Sequence, residues 1–465
     1  MNDRTTRRWR YAIYVLYFAL CLLMQYCTER TQFVQLITIY GGLCLLYLLM
    51  MRSFSMHQDK YLEGEMLGIL LRLSIVFAIP NLTDDHFRFL WDGIIRINGF
   101  NAYMYTPEEF RLFGYIGNKP DMHQVYALLN SKQYHSIYPP FYQAIFTFGA
   151  WIAQGNLYIQ LICIKVILLA FEFGTILLLP KVLKQLNIAE YHALWYILNP
   201  LVIFELTGNM HLEGPMIFFM LASIWFLLRH KNLLSAIAFG CAIATKLWPV
   251  MLMPLFFKRL QFRGTMLYGI IAAAVAGLLL LPMLREYTHV AESLRLYFSQ
   301  FEFNASIYYA IKSFIDKETQ YDLLLRLQNI LPVITAATII LLSLLYRKDK
   351  LIPAMLLAFT IYLFFATTVH PWYLTPLILL SALSGLRFPI LWSMLIYLSY
   401  YTYITPAYIE SQMLIAFEYG ILAIYLIHEL LKSELLDHAI MQKVITQFNL
   451  WLNMLKRKRT PTTYK

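Results

Sequence analysis

The chain has 465 residues, of which 59% are hydrophobic and only 14% charged, with a net charge of +11. Charged residues make up about 25% of an ordinary soluble domain, so a water-soluble globule is excluded. The surplus of cations does not mark a nucleic-acid surface either. It lies where apolar runs end, in RTTRRWR at the start, RHK at 229, KRLQFR at 258, RKDK at 347 and KRKR at 456, the pattern of a membrane protein whose cationic ends face the cytoplasm.

In chain order, apolar runs at or near the length of a membrane span lie at about 11–27, 33–51, 66–80, 157–179, 190–206, 215–229, 232–246, 247–257, 265–282, 326–346, 351–369, 372–386, 388–404 and 412–431, against a requirement of about 17–25 residues. Several are short, so the sequence predicts an all-α polytopic membrane protein, one domain over 1–465, with about 12–14 transmembrane helices. The first run has no small-residue cleavage site and reads as a span, not a signal peptide. With the N-terminus in the cytoplasm, 81–156 and 283–325 become extracytoplasmic loops carrying juxtamembrane amphipathic helices, and 432–465 becomes a basic cytoplasmic tail. Cys21, Cys27, Cys44, Cys163 and Cys241 all lie in apolar runs, which indicates neither disulfides nor a zinc site. Arg72, Lys165 and Glu172 fall inside spans. Structural pairing is the expectation for them, Glu172 with either Arg72 or Lys165.

The stretch NLTDDHFRFLWDGIIRINGFNAY, residues 81–103, has an unusual charge density for a chain leaving a membrane. Thr83 suits a helix N-cap and puts Asp84 and Asp85 in the first turn, where the helix dipole favours carboxylates. Asp84, Arg88, Asp92 and Arg96 recur every four residues, acid before base, with Phe87, Leu90, Trp91, Ile94 and Ile95 largely on the other side. Asn98-Gly99 supplies the stop. This predicts a surface helix with its charged face up, and a solvated face accounts for Arg88, Asp92 and Arg96. Asp85 falls outside that ladder, where a carboxylate could serve as general base on a hydroxyl arriving from the membrane plane.

DDHFRFLWDG…NGFNAY, YPPF, NMHLEG, KLWPVMLMPL and HPWYLTPLI, in that order over about 66–386, resemble the GT-C superfamily of lipid-phosphate-sugar-dependent glycosyltransferases. The closest likeness is to bacterial polyprenol-phosphate-mannose-dependent mannosyltransferases. The chain departs from their pattern in having two spans before the aspartate loop, and HLEG where an HxD element is common. The resemblance implies inverting transfer of a hexose, mannose first, from a polyprenyl-monophosphate donor to an extracytoplasmic glycolipid, glycan or protein acceptor, at a bacterial inner membrane. It makes Asp84 the base and Asp85 its supporting carboxylate. It further implies donor-phosphate contacts from Lys246, His370 and Arg88, and sugar or acceptor contacts from His211, Glu213, Trp91, Asp92, Trp372 and Tyr373. Ordinary alternatives stand beside these roles: a snorkelling side chain for Lys246, an interfacial histidine for His370 and interface-belt anchors for the aromatics. Tyr138, Pro139 and Pro140 read as a rigid turn. The sequence calls for no metal or other cofactor. Two other functions fit a polytopic chain. A lipid-linked-sugar flippase would usually show internal repeats and midplane charges, and a glycan ligase would use a lipid diphosphate.

Overall fold

A computed structural model describes residues 3–315 and 320–436; most of the predicted basic tail lies outside the described residues. Helices α1 (Asp3–Cys27) and α2 (Phe33–Met56) form a hairpin, and α3 (Tyr61–Ile75) follows. The first loop carries α4 (Asp85–Ile97), α5 (Pro107–Leu112), α6 (Pro120–Leu128) and α7 (Pro140–Ala153), after which α8 runs over Leu157–Gln185. Two short helices, α9 (Leu194–Ile197) and α10 (Pro200–Val202), lead into a π-helical turn at Ile203–Gly208. Then come α11 (Glu213–Leu228), α12 (Asn232–Thr245), a 3₁₀ stretch at Trp248–Phe256 and α13 (Phe257–Leu284). The second loop holds α14 (Tyr287–Gln300) and α15 (Ile307–Lys312). The last group is α16 (Gln320–Leu345), α17 (Leu351–Phe365), α18 (Thr375–Ser384), α19 (Phe388–Leu395), a 3₁₀ run at Ile396–Ile404 and α20 (Gln412–Lys432).

The protein is all-α and polytopic. By length and composition, six helical segments of the described residues can cross a membrane, or seven if Pro200–Gly208 and Glu213–Leu228, bent 118° at their junction, count as one span. The remaining apolar runs are short pieces such as Asn232–Thr245, Leu351–Phe365 and Pro371–Ser384. Proline explains much of this fragmentation. Pro200, Pro249, Pro371, Pro376 and Pro389 sit at the first turns of their segments, where a missing N–H costs nothing but the previous helix cannot continue.

The basic turns gather at one end of the bundle. Arg10 lies 3.2 Å from Glu63, Arg347 lies 3.1 Å from Glu434, and Glu429 accepts the backbone N–H groups of Arg387 and Phe388. The other end collects the α1–α2 turn and segments 76–84, 209–212, 246–248, 301–305 and 366–370. They are linked by Gln25 to Asn81, by the Leu82 N–H to Asn209, and by a parallel bridge between Phe303 and Thr368.

Helix α4 is not the charged-face-up surface helix that its periodicity predicts. Residues 131–136 and α7 cover it, leaving Arg88 4% and Asp92 0% exposed. Arg88 pairs with Asp92 at 2.8 Å and donates to the Ser131 and Tyr134 carbonyls, while Ser136 and Gln143 donate to Asp92. Thr83 is not the N-cap either. That position is Asp84, and the Thr83 hydroxyl accepts the Asp85 N–H at 3.2 Å. The stop behaves as expected, with Gly99 at φ 85 and the Phe100 N–H returning to the Ile95 carbonyl.

Of the two predicted pairings for Glu172, the one with Arg72 forms. The Arg72 guanidinium, fully buried, meets Glu172 at 3.4 Å and donates to the Ile197 carbonyl at 2.8 Å, and Tyr196 donates to Glu172. Lys165 donates instead to the carbonyls of Ile75, Ala78 and Gly208. Arg72→Leu would strand the Glu172 carboxylate, and loss of one partner of a buried pair costs about 3–5 kcal/mol. The variant is expected to show a clearly lowered unfolding midpoint in detergent, measured by thermal melting.

Candidate active site

Residues that lead into helices or turns build the site at the non-basic end. Asp84 and Asp85 open α4. Helix α12 ends because Lys246 is extended (φ -156, ψ 131) with Pro249 three residues on. His370 follows 366–369, which pair with the second loop through the Val369 N–H to Phe303, and Pro371 then starts the next helical turn. His211 follows the π-helical turn and Met210, whose φ of 65 is costly for a residue with a side chain. Strain of this kind persists where surrounding contacts over-determine it, and here it sets the direction of His211.

Two carboxylate–cation pairs frame the site. Arg30, from the α1–α2 turn, binds Asp84, and its guanidinium lies 5.0 Å over the Tyr403 ring. Lys246 binds Glu213 and sits between Trp248 (4.6 Å) and Tyr373 (5.1 Å). Glu213 is buried, and its second oxygen has no partner. Asp85 stands between the pairs, half-buried, and its carboxylate has no hydrogen-bond partner among the described residues. Burial pushes its carboxyl above the ordinary value, opposed by His211 and Lys246 and reinforced by Asp84 and Glu213.

A ring stack forms the adjoining wall. His211 lies 3.6 Å from Trp372 at 15°, and His370 lies 4.3 Å from it at 8°. Two rings that close and that nearly parallel cannot share a face, so they occupy opposite faces of the indole. His211 is also 3.2 Å from buried Glu205, whose other oxygen accepts from Tyr397 (2.8 Å) and Tyr400 (3.1 Å). Burial, with His211 and Lys246 adding to it, lowers the His370 imidazole to about 3. That ring is neutral at physiological pH and has one N–H to donate.

The structure therefore brings Asp84, Asp85, His211, Glu213, Lys246, His370, Trp372 and Tyr373 together, and sets three other candidates apart. Arg88 and Asp92 complete each other under the first loop. Trp91, fully buried, packs edge-on to Phe110 at 5.6 Å in that loop's core. Trp372 is in the site, but with both faces occupied it offers no plate to a sugar. Sequence reasoning missed Arg30, Glu205 and Tyr403. Glu205 was legible as a carboxylate inside an apolar run; nothing local distinguishes Arg30 or Tyr403. Among the described residues, no group of three or more His, Cys, Asp or Glu side chains is arranged to hold a metal ion.

The class defined so far is an all-α integral membrane protein with an acidic, histidine-bearing site at one end. Residues 17–260 match the MptA_B family, described as alpha-(1->6)-mannopyranosyltransferase, N-terminal domain, and the chain belongs to that family. It is a membrane mannosyltransferase. No curated protein and no solved structure matches it. Trp372→Leu removes two aromatic stacks worth about 0.5–1.5 kcal/mol each, so thermal melting in detergent should find a lowered midpoint, most of it restored in Trp372→Phe.

Proposed function

We propose that this mannosyltransferase is a GT-C-type enzyme that takes mannose from a polyprenyl monophosphate. It passes the sugar, with inversion, to a hydroxyl of a glycolipid, glycan or protein on the outer side of a bacterial cytoplasmic membrane, both chain termini lying inside. The observation that carries this reading is Asp85, a free carboxylate beside His211, Glu213 and Lys246. Asp85 takes the acceptor hydroxyl proton as that oxygen attacks the sugar C1. The bond from C1 to the phosphate oxygen breaks, and its electron pair leaves with the lipid phosphate. Lys246 meets the growing phosphate charge and the neutral His370 adds one N–H. His211 and Glu213 contact sugar or acceptor hydroxyls, with Tyr373 packed beside Lys246. The prenyl tail lies between helices, toward the bilayer.

The resemblance points to Asp84 as the base, whereas the geometry favours its neighbour. One oxygen of Asp84 is already bound by Arg30, and adjacent helical positions diverge by about 100°, so only one of the two can face the acceptor. Inverting transfer from a β-linked donor gives an α-mannoside. The family's name makes the α-(1→6) linkage the first product to seek.

Incubation of purified protein with polyprenyl-phosphate mannose should consume the donor; no consumption in a folded preparation would refute the reading. Asp85→Asn should lose about 10²–10⁴-fold of turnover, the usual contribution of a general base, and Asp84→Asn should lose less. Because the base must be deprotonated and burial holds the Asp85 carboxyl above its ordinary value, kcat/KM should fall on acidification at a pH above the ordinary carboxylate range. Lys246→Gln should slow transfer by about 10- to 150-fold, the equivalent of losing a charged hydrogen bond worth about 1.5–3 kcal/mol. Cysteines placed at positions 118 and 348 should label from opposite sides of the membrane, 118 from outside. Labelling from the same side would overturn the orientation.

A further inference from the structure

Arg30 lies in the short turn of the α1–α2 hairpin, yet it reaches a carboxylate that opens α4. The turn is fixed against the segment before the aspartates. Asn81, three residues ahead of Asp84, donates to the carbonyls of Met24 and Thr28, and Gln25 donates back to Asn81 at 3.2 Å. Within the turn, the Glu29 N–H is held by Gln32 at 3.0 Å, and Gln35 donates to the Cys27 carbonyl at 2.9 Å. The end of α1 is thus tied both to α2, at the Cys27 carbonyl, and to the strip of chain that delivers Asp84, at the carbonyls of Met24 and of Thr28 just beyond the helix. From the far end of the sequence, Tyr403 supplies a ring face beneath the guanidinium. A surface ion pair of two long, mobile side chains has none of this support.

We propose that Arg30 is a positioning residue of the catalytic site: it holds the Asp84 carboxylate aside, leaves Asp85 as the carboxylate that faces the acceptor, and makes the N-terminal hairpin part of the active site. The inference rests on the reading of Asp85 as proton acceptor. Its electrostatic consequence is specific. Asp85 is faced by Asp84 from its own turn, His211 and Glu213 from the start of α11, Lys246 from the end of α12 and Tyr403 from the 3₁₀ run before α20. Pairing with Arg30 neutralises the nearest of those anions. Without it, a second negative charge stands next to the base and favours the base's protonated form.

The test is the pH dependence of mannosyl transfer from polyprenyl-phosphate mannose by the purified full-length protein. Arg30→Gln should move the acid limb of kcat/KM up by about 1 pH unit, because Asp84 is then unpaired. Asp84→Asn should move it down, because Arg30 then acts on Asp85 alone. The double variant Arg30→Gln/Asp84→Asn should return it near the wild-type position, and Arg30→Lys should rescue most of the single change. A hairpin that only anchors the fold would lower activity without moving the limb, so an unmoved limb in both single variants overturns the proposal. If Arg30→Gln does not fold, the downward shift in Asp84→Asn and the rescue in Arg30→Lys decide the matter; absence of both overturns it. Asp85→Asn separates the two claims. Should that variant keep near-normal turnover, the reading of Asp85 as base fails, whatever Arg30 does.

Discussion

Everything at the site hangs on how the ammonium of Lys165 is satisfied inside the bundle. It is 2% exposed and donates to the carbonyls of Ile75 and Ala78, where α3 ends, and of Gly208, where the π-helical turn ends. A charge at that depth is tolerated only when its donors are met, and helix C-termini present unpaired carbonyls with the negative end of the dipole. One side chain thereby joins two broken helix ends. The first leads through Pro80 to Asp84 and Asp85, the second through Met210 to His211 and Glu213. The Leu82 N–H, bound to the Asn209 side chain, repeats the same link one layer further out. The acidic pair and the histidine face each other because their two segments share an anchor below them.

Above that anchor, the charges balance without closing the site. Arg30 and Lys246 each meet a carboxylate, and Glu205 stands against the His211 imidazole, so none of these three side chains is held by solvent alone. Asp85 is left over. A carboxylate in a partly buried setting with no hydrogen-bond donor is unfavourable as a structural element, and such groups concentrate where chemistry needs a proton acceptor. The two pairs and the stacked rings hold that unfavourable arrangement in place.

Hydropathy made the all-α membrane class legible because a bilayer imposes the same demand on every residue of a run. The number of spans was not legible: about 12–14 were expected, and six segments of the described residues, or seven with the bent pair, are long and apolar enough to cross. Hydropathy also marked Arg72, Lys165 and Glu172 as groups needing partners at that depth, and left open which of the two cations Glu172 would take. Periodicity misled over α4. The spacing of Arg88 and Asp92 is that of a solvated face, but residues 131–136, a polar loop without a repeating pattern, fold over it, and no local signal announces such a cover. Trp372 lies at the candidate site, but a sequence shows only that an indole is present and not that two imidazoles take both its faces. Arg30 and Tyr403 were invisible for a related reason: their meaning lies in a contact between parts of the chain that are far apart in sequence.

That separation has a consequence for synthesis. The chain is made from the N-terminus at roughly 5–20 residues per second, so Arg30 and Asp84 enter the membrane early, while Trp372 and Tyr403 follow roughly 20–75 s after Arg30. During that interval, Lys246, Glu213 and His211 stand at the rim of an unfinished wall, with the apolar flanks of their helices open to whatever lies beside the translocation machinery. A chain halted before residue 372 would insert, look mostly helical and carry both partners of its first ion pair, yet lack the ring stack. The late arrival of the Trp372 segment leaves the site unfinished until the last group of helices is being made.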